Sequence, residues 1–313
     1  LASDGSKMSK SKGNFTDPNA LFEQYGADAM RFYLMSSPLL RAEDISFKDD
    51  NVRDIYRKVI SPLANTLSFY QLYENGNTHL GNPHSKNVLD EWIISRLNQT
   101  VETVTKTLDA YDSITACSTI VSFMEDLSTW YLRRSRERFK GDDENDKTNA
   151  IRTLGHVLHQ TSKLIAPISP FIAEEIHQAL HTHNKNLKES VHLEDWPTVD
   201  SQAINAGAMS SMTAAREIVR KGLEQRDVLK LPVRQPLNSI SSNVQLAPEY
   251  FNVIKDELNV KKVIHNDTGK DAELAVTLDT HLTPELLAEG AARELMRVIQ
   301  DLRKQAKLNP TQF

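Results

Sequence analysis

The sequence predicts a mainly α-helical protein, in which a short loop-rich segment precedes an antiparallel helical bundle and a small α/β unit follows it. Apolar residues recur at three- and four-residue spacing over most of residues 17–183, which is the pattern of amphipathic helices. The connections are short and polar, and successive helices joined in this way pack as antiparallel neighbours. Glycine is scarce, with 11 of 313 residues, which argues against turn-dense all-β folds and glycine-rich dinucleotide loops.

Boundary signals divide the periodic region into separate helices. Asp17 and Pro18 form an N-cap with proline at the first helical position, Gly26 supplies a stop, and Pro62 should kink the helix that contains it. Residues 39–47 form a link. Together these signals predict helices at residues 17–26, 28–36, 49–73, 88–110, 112–139, 147–165 and 170–183.

The pattern changes after Trp196 and Pro197, where shorter elements begin. A helix at 203–226, another near 248–258 and a long final helix at 284–307 alternate with strand candidates at 237–243, 260–265 and 272–278. These elements predict a small mixed α/β unit. The sequence therefore predicts three parts: 1–47, 48–197 and 198–313.

The composition excludes several classes of protein. The chain has 37 Lys and Arg against 42 Asp and Glu, a net charge of −5, which excludes a uniformly basic coat for nucleic acid but permits a local basic face. A single cysteine, Cys117, excludes a disulfide framework and a multi-cysteine zinc site, and indicates a cytoplasmic protein. His181 and His183 lack a full ligand set, so we assign no metal. No apolar stretch is long enough to span a membrane. The chain opens on Leu1 within a polar run, which suggests a fragment of a longer polypeptide.

The most informative run is residues 7–14, where three lysines alternate with small polar residues between Gly5 and Gly13. Glycines permit hinge conformations, and lysine ammonium groups on a mobile loop are suited to clamp phosphates. For an arbitrary run of this kind, a solvated basic loop would be the commoner explanation.

Residues 7–11, Lys-Met-Ser-Lys-Ser, resemble the KMSKS signature of class I aminoacyl-tRNA synthetases letter for letter. Gly13-Asn14, Asp17-Pro18 and residues 25–31 extend the match to the subgroup for aliphatic amino acids, which comprises isoleucyl, valyl and leucyl enzymes. Residues 37–47 are similar to the isoleucyl branch, and three further segments agree with it: 130–136, 233–237 and 282–295. The bundle is then of the class I anticodon-binding type.

The resemblance implies an enzyme that activates isoleucine with ATP and Mg²⁺ and attaches it to tRNA(Ile). It implies catalytic roles for Lys10, which would stabilise charge at the α-phosphate and pyrophosphate, and for Lys7, which would support it. The implied ATP-binding set is Lys7, Met8, Ser9, Lys10 and Ser11. The family's HIGH motif and Rossmann active site are not in this sequence, so we expect the chain alone to be inactive, with no cofactor bound.

A second constellation lies on the predicted helix at 112–139 and just beyond it. Trp130, Arg134 and Arg138 share one helical face, and further cations lie beside them. Guanidinium and aromatic groups on one surface suit an RNA loop. A solvated face paired with Glu137 is the alternative, with Trp130 or Tyr131 in the core. Because the family places its anticodon-reading surface on this bundle, we predict tRNA contacts for Trp130, Arg133, Arg134, Arg136, Arg138 and Lys140.

Two alternatives remain open from the sequence alone: a valyl-tRNA synthetase, and a stand-alone RNA-binding module derived from such an enzyme. Neither a membrane nor a protein partner is indicated. Weaker basic stripes, each more often a solvated face, occur at Arg53, Arg57 and Lys58, and at Arg216, Arg220 and Lys221.

Overall fold

The computed structural model of the chain describes residues 1–3, 5–74, 80, 83, 85–266 and 274–306, and leaves the side chain of Lys10 undescribed. The chain divides into two compact units, Leu1–Ala206 and Gly207–Phe313. The three-part division at residues 47 and 197 remains a proposal.

The first unit is helical, as the sequence predicts. Its elements are α1 (Pro18–Met35), α2 (Asp49–Ile55), α3 (Ser61–Tyr73), α4 (Val88–Asp109), α5 (Ser113–Glu125), α6 (Arg133–Lys140), α7 (Glu144–Ile165) and α8 (Pro170–His181). Two π-helical turns, Tyr56–Ile60 and Asp126–Leu132, join α2 to α3 and α5 to α6.

The predicted stop at Gly26 is present as a break inside α1. Gly26 has φ 79° and ψ 157°, a conformation that glycine reaches without steric cost. Asp17 caps the first arm by accepting a hydrogen bond from the amide of Asn19 at 2.9 Å. The two predicted helices are therefore two arms of one element.

The kink predicted at Pro62 takes the form of the π-helical turn at Tyr56–Ile60, which ends just before it. Proline has no amide hydrogen and its ring crowds the preceding turn, so the helix widens there. The second π-helical turn contains no proline, and nothing in the sequence pattern indicated it.

Helices α4 and α7 pack against each other in the bundle core. The buried residues of α4 include Ile93, Leu97, Val101 and Val104. On α7, a Cβ atom at Gly155 would lie only 3.0 Å from the hydroxyl of Tyr70 on α3. Glycine at this position therefore lets α3 and α7 approach closely.

The second unit combines helices with a small sheet, as predicted. It comprises α9 (Ala206–Val228, starting at the unit boundary), β1 (Leu237–Ser242), α10 (Pro248–Leu258), β2 (Val260–His265), β3 (Val276–Leu278) and α11 (Pro284–Gln305). The strand order is β2-β1-β3, with β1 parallel to β2 and antiparallel to β3.

Arg226 of α9 is buried and organises the turn that leads into β1. Its guanidinium donates to the carbonyls of Pro232 and Gln235 at 3.1 and 3.0 Å, and to that of Leu258 at 2.6 Å. Backbone carbonyls thus satisfy the two terminal nitrogens of this buried guanidinium, whereas its Nε atom has no hydrogen-bonding partner among the described residues. Among the described residues, none of the helices is long and apolar enough to cross a membrane.

Candidate nucleic-acid interface

The signature loop is held in shape by the side chain of Asn14. Its amide nitrogen donates to the Ser6 hydroxyl at 2.9 Å and to the carbonyl of Lys7 at 3.1 Å. Its oxygen accepts from the amide of Ser9 at 2.9 Å. Asn14 thus links both sides of the loop, a structural role that sequence reasoning did not assign to it.

The loop presents its predicted residues in different ways. Lys7 and Ser11 are exposed, whereas Met8 and Ser9 are half-buried. The hydroxyls of Ser9 and Ser11 lie 2.7 Å apart. Met8 lines a surface cleft together with Phe15 and Phe47. The side chain of Lys10, the main catalytic prediction, lies outside the described residues.

The segment behind the loop is anchored to the bundle by two charged residues of α1. The carboxylate of Asp28 accepts hydrogen bonds from the first amides of α8, at 3.3 Å from Phe171 and 2.7 Å from Ile172. Burial raises the pKa of Asp28, and these two amides oppose the rise. Arg31 donates to the carbonyl of Ile168 at 3.1 Å.

This anchoring accounts for part of the motif at residues 25–31. An aspartate aimed at a helix N-terminus satisfies amides that lack an intrahelical partner. The sequence match identified these residues but gave them no role, because their partners are more than 130 residues away along the chain.

The predicted basic helix contacts a buried carboxylate, that of Asp90 on α4. Asp90 is 1% exposed and accepts a bidentate pair from Arg138 at 2.8 and 2.7 Å. The Tyr131 and Ser85 hydroxyls also donate to it, at 2.8 and 2.6 Å. Arg138 donates further to Asp146 at 2.7 and 2.9 Å. We call these five residues the Asp90 network.

Arg138 is the one cation of the Asp90 network, and it pairs with both of the network's carboxylates. The Arg138 guanidinium holds the pKa of Asp146 below its usual value, and burial raises the pKa of Tyr131. Buried charges persist when they are paired and hydrogen-bonded. The network therefore joins α4, α6, α7 and the second π-helical turn as a structural unit.

The structure corrects the exposure expected for one face of this helix. Trp130 is only 7% exposed and Tyr131 is fully buried, so both aromatics are in the core where one was expected. Arg138 is 11% exposed, and its donors are engaged by carboxylates. Trp130 and Arg138 therefore turn inward, and Arg138 does so because Asp90 lies opposite it. Neither Trp130 nor Arg138 is presented to an RNA in this structure.

The adjacent face of α6 points to solvent. Arg133, Arg136 and Lys140 are exposed and Arg134 is half-buried. Arg133 donates to the carbonyl of Thr129 at 2.9 Å. We call Arg133, Arg136 and Lys140 the α6 cation strip. Its contact with tRNA stays a prediction.

The weaker basic stripes are partly neutralised by their own neighbours. Arg53 pairs with Asp50 at 3.0 Å, and Arg220 pairs with Glu217 and Glu224. Exposed pairs of this kind on one helix are solvated faces in most proteins. Arg57 and Lys58 are exposed.

Comparison with known proteins identifies two regions. Residues 90–241 match the anticodon-binding domain of tRNA ligases, and residues 1–46 match class I tRNA synthetases of the I, L, M and V group. Relatives named isoleucine–tRNA ligase are 32% identical in Treponema denticola, 38% in Clostridium tetani and 38% in Chlamydia abortus. These alignments cover 99, 96 and 84% of this chain, but only 37, 29 and 26% of the relatives.

The chain also matches part of a solved structure. It is the ternary complex of Agrobacterium radiobacter K84 agnB2 LeuRS with tRNA and LeuAMS, with a TM-score of 0.47 and 22% identity. The similarity covers 66% of this chain and 24% of that one.

Proposed function

The chain belongs to the class I tRNA ligases, and we infer that it is the tRNA-binding portion of an isoleucine–tRNA ligase. It spans about a third of the length of the curated relatives it matches. The proposed activity of the whole protein is to activate isoleucine with ATP and to attach it to tRNA(Ile) in the cytoplasm. Because the relatives described above are isoleucine ligases, we prefer this specificity to the valyl alternative.

The observation that carries the proposal is the α6 cation strip on a bundle that matches an anticodon-binding family. Three exposed cations along one face present a local positive surface on a chain whose net charge is −5. An anticodon loop offers phosphates and unstacked bases, and arginine can bind the first and stack on the second. The inward residues Trp130 and Arg138 support this surface by fixing α6 in the bundle.

For the signature loop we propose contact with the ATP phosphates through Lys7 and Lys10. Asn14 would keep the loop in a defined shape while the lysines close on the nucleotide. The described side chains of residues 5–14 are cationic, hydroxyl, amide or apolar, and Mg²⁺ prefers carboxylate and phosphate oxygens. We therefore assign no Mg²⁺ ligand to this loop, so Mg²⁺ would have to be held by the nucleotide and other parts of the complete enzyme.

The tRNA-binding proposal is tested with the purified 313-residue chain and fluorescently labelled tRNA(Ile). Changing Arg133, Arg136 and Lys140 together to alanine should weaken binding and flatten its salt dependence. Each lost phosphate contact should reduce the slope of log K against log salt by about 0.7 on single-stranded RNA. Thermal unfolding should be nearly unchanged, since surface substitutions cost within about 0.5 kcal/mol each.

The matched control removes three exposed cations elsewhere, by changing Lys230, Lys262 and Arg293 to alanine. It alters the net charge equally, so unequal effects locate the interface. If both triple variants bind as the unaltered chain does, the α6 cation strip is a solvated face. A binding preference for another tRNA over tRNA(Ile) would contradict the assigned specificity.

The signature-loop proposal is tested by Lys10→Ala in the complete ligase. The substitution should reduce the rate of isoleucine-dependent ATP–pyrophosphate exchange more than it raises the KM for isoleucine, because Lys10 acts mainly on charge that develops in the transition state. Normal turnover in this variant would remove Lys10 from the mechanism.

A further inference from the structure

A second polar cluster lies in the first unit, and its residues come from three separate segments of the chain. It brings together His159 of α7, His177 of α8 and Glu194, which follows a short 3₁₀ turn at Val191–Leu193. The ligand atoms of all three side chains lie within 4.8 Å of one another. We call these residues the His-Glu cluster.

The two imidazoles of the His-Glu cluster are buried, and three of their four ring nitrogens have no hydrogen-bonding partner among the described residues. His159 is 8% exposed and His177 is fully buried. Among the described residues, the two ring nitrogens of His159 and the Nδ1 atom of His177 have no hydrogen-bonding partner. Burying a polar group unpaired costs free energy. Buried imidazole nitrogens that lack partners and lie close together can therefore form a binding site, because a ligand would supply the missing interactions.

The hydrogen bond of His177 fixes which of its nitrogens can bind that ligand. Its Nε2 atom lies 2.9 Å from the carbonyl oxygen of Lys188. A carbonyl only accepts, so Nε2 carries a proton, and it is Nδ1 that offers a lone pair when the ring is neutral. A histidine that binds a metal commonly donates its other N–H to a backbone carbonyl in this manner.

The backbone of Lys188, which accepts the hydrogen bond of His177, also positions Glu194. Its Oε1 atom accepts a hydrogen bond from the amide of Lys188 at 2.8 Å. Lys188 thus orients both Glu194 and His177 through its backbone. Lys163 lies one turn from His159 on α7 and would repel a bound cation. The carboxylate of Glu194 supplies a negative charge that offsets this repulsion.

We propose that His159, His177 and Glu194 bind a divalent transition-metal ion, with Zn²⁺ as the best match. Two imidazoles and one carboxylate form a recurrent zinc ligand set that leaves a fourth position for water. A tetrahedral ion with bonds of about 2.0–2.1 Å needs ligand atoms about 3.4 Å apart. The side chains must close in by at most about 1.4 Å, which small rotations of the rings and the carboxylate can supply. The ion would join α7, α8 and the segment at 188–197.

The test uses the purified chain, first stripped with a chelator and then titrated with Zn²⁺ alone at neutral pH. We expect one equivalent to bind, to raise the unfolding temperature and, with Co²⁺ in its place, to give the visible absorption of a tetrahedral ion. Failure of the unaltered chain to bind one equivalent overturns the proposal without any variant.

Variants locate the ion. Glu194→Gln and His159→Gln should each lower Zn²⁺ affinity by at least about tenfold and reduce the zinc-induced shift in unfolding temperature. His192→Gln is the matched control, since it removes an exposed histidine two residues from Glu194 and should change neither. Glu194 is half-buried and glutamine has nearly the same shape, so Glu194→Gln can test the site even if a histidine variant fails to fold. Equal affinity in Glu194→Gln and the unaltered chain would assign the bound zinc to surface groups.

Discussion

Two buried polar clusters of the same bundle differ in how completely they are satisfied. In the Asp90 network, one carboxylate accepts from Arg138, Tyr131 and Ser85 at 2.6–2.8 Å. In the His-Glu cluster, three imidazole nitrogens are buried without a partner among the described residues. Burial alone therefore does not distinguish a structural network from a binding site, whereas the state of the hydrogen bonds does.

The difference has a physical basis. A paired, hydrogen-bonded ion pair in the interior is costly to break because each partner would be left desolvated and alone. A set of imidazole nitrogens without partners costs less to bury than an unpaired ion, but it gains little until a ligand binds those nitrogens. The first arrangement stabilises the bundle in the folded chain itself, and the second is completed from outside.

The largest effect is expected when the Asp90 network is broken. Arg138→Met removes the counterion from a carboxylate that is 1% exposed, and it should lower the free energy of unfolding by about 3–5 kcal/mol. Urea denaturation measures the change. Arg136→Met, two residues away on the α6 cation strip, is the control and should cost within about 0.5 kcal/mol. Equal costs for the two variants would contradict the structural role given to Arg138.

A smaller effect is expected from pH. Burial lowers the pKa of His159 to about 4, from a usual 6.5, and Lys163 adds to the shift; burial also lowers the pKa of His156. Between pH 6.5 and about pH 4, His159 is protonated in the unfolded chain but not in the folded chain. The free energy of unfolding therefore falls as pH decreases through this range. In metal-free protein, the shifted pKa of His159 alone should lower the free energy of unfolding by about 2 kcal/mol between pH 7.5 and pH 5.0.

The pH experiment also separates the two clusters. The pKa of Asp146 is held below its usual 3.8 by Arg138, so its contribution is complete at pH 5 and is lost only as pH falls further. Urea denaturation at pH 7.5 and pH 5.0 should therefore report on the histidines. A pH dependence that persists in full in His159→Gln would place its origin in other groups.

The smallest effect is expected when the unsatisfied cluster is made apolar. His159→Met keeps a similar volume and removes two unpaired polar atoms, so the free energy of unfolding of metal-free protein should change by less than about 1.5 kcal/mol. The same variant should no longer respond to Zn²⁺ in thermal unfolding. A loss as large as that of Arg138→Met would mean that the His-Glu cluster is already satisfied in the folded chain.

Much of the fold was predictable from local signals. Asp17 and Gly26 marked the boundaries of the first helices, and Pro62 marked the place of a distortion, because caps, positive φ and a missing amide act within one turn. The strand at residues 276–278 was also placed, although the predicted start at 272 lies outside the described residues. The π-helical turn at Asp126–Leu132 left no comparable local signal.

The candidate sites were less predictable. Spacing predicted that Trp130, Arg134 and Arg138 share one face, yet it could not show that Trp130 and Arg138 turn inward. That outcome depends on Asp90, which is 48 residues from Arg138 in the sequence. The sequence indicated exposure for a charged face because most such faces are solvated, and a buried partner in another helix reverses the expectation.

The sequence by itself determined the helical class of the bundle, the mixed second unit, the signature loop and the family, since periodicity, caps and motifs are local along the chain. Only the tertiary structure decided which cations reach solvent, that Asp28 and Arg31 anchor α8, and that His159, His177 and Glu194 meet. The last three residues are 18 and 17 positions apart, a spacing with no periodic meaning. Their proximity follows from the packing of α7 against α8 and from the return of the chain after α8.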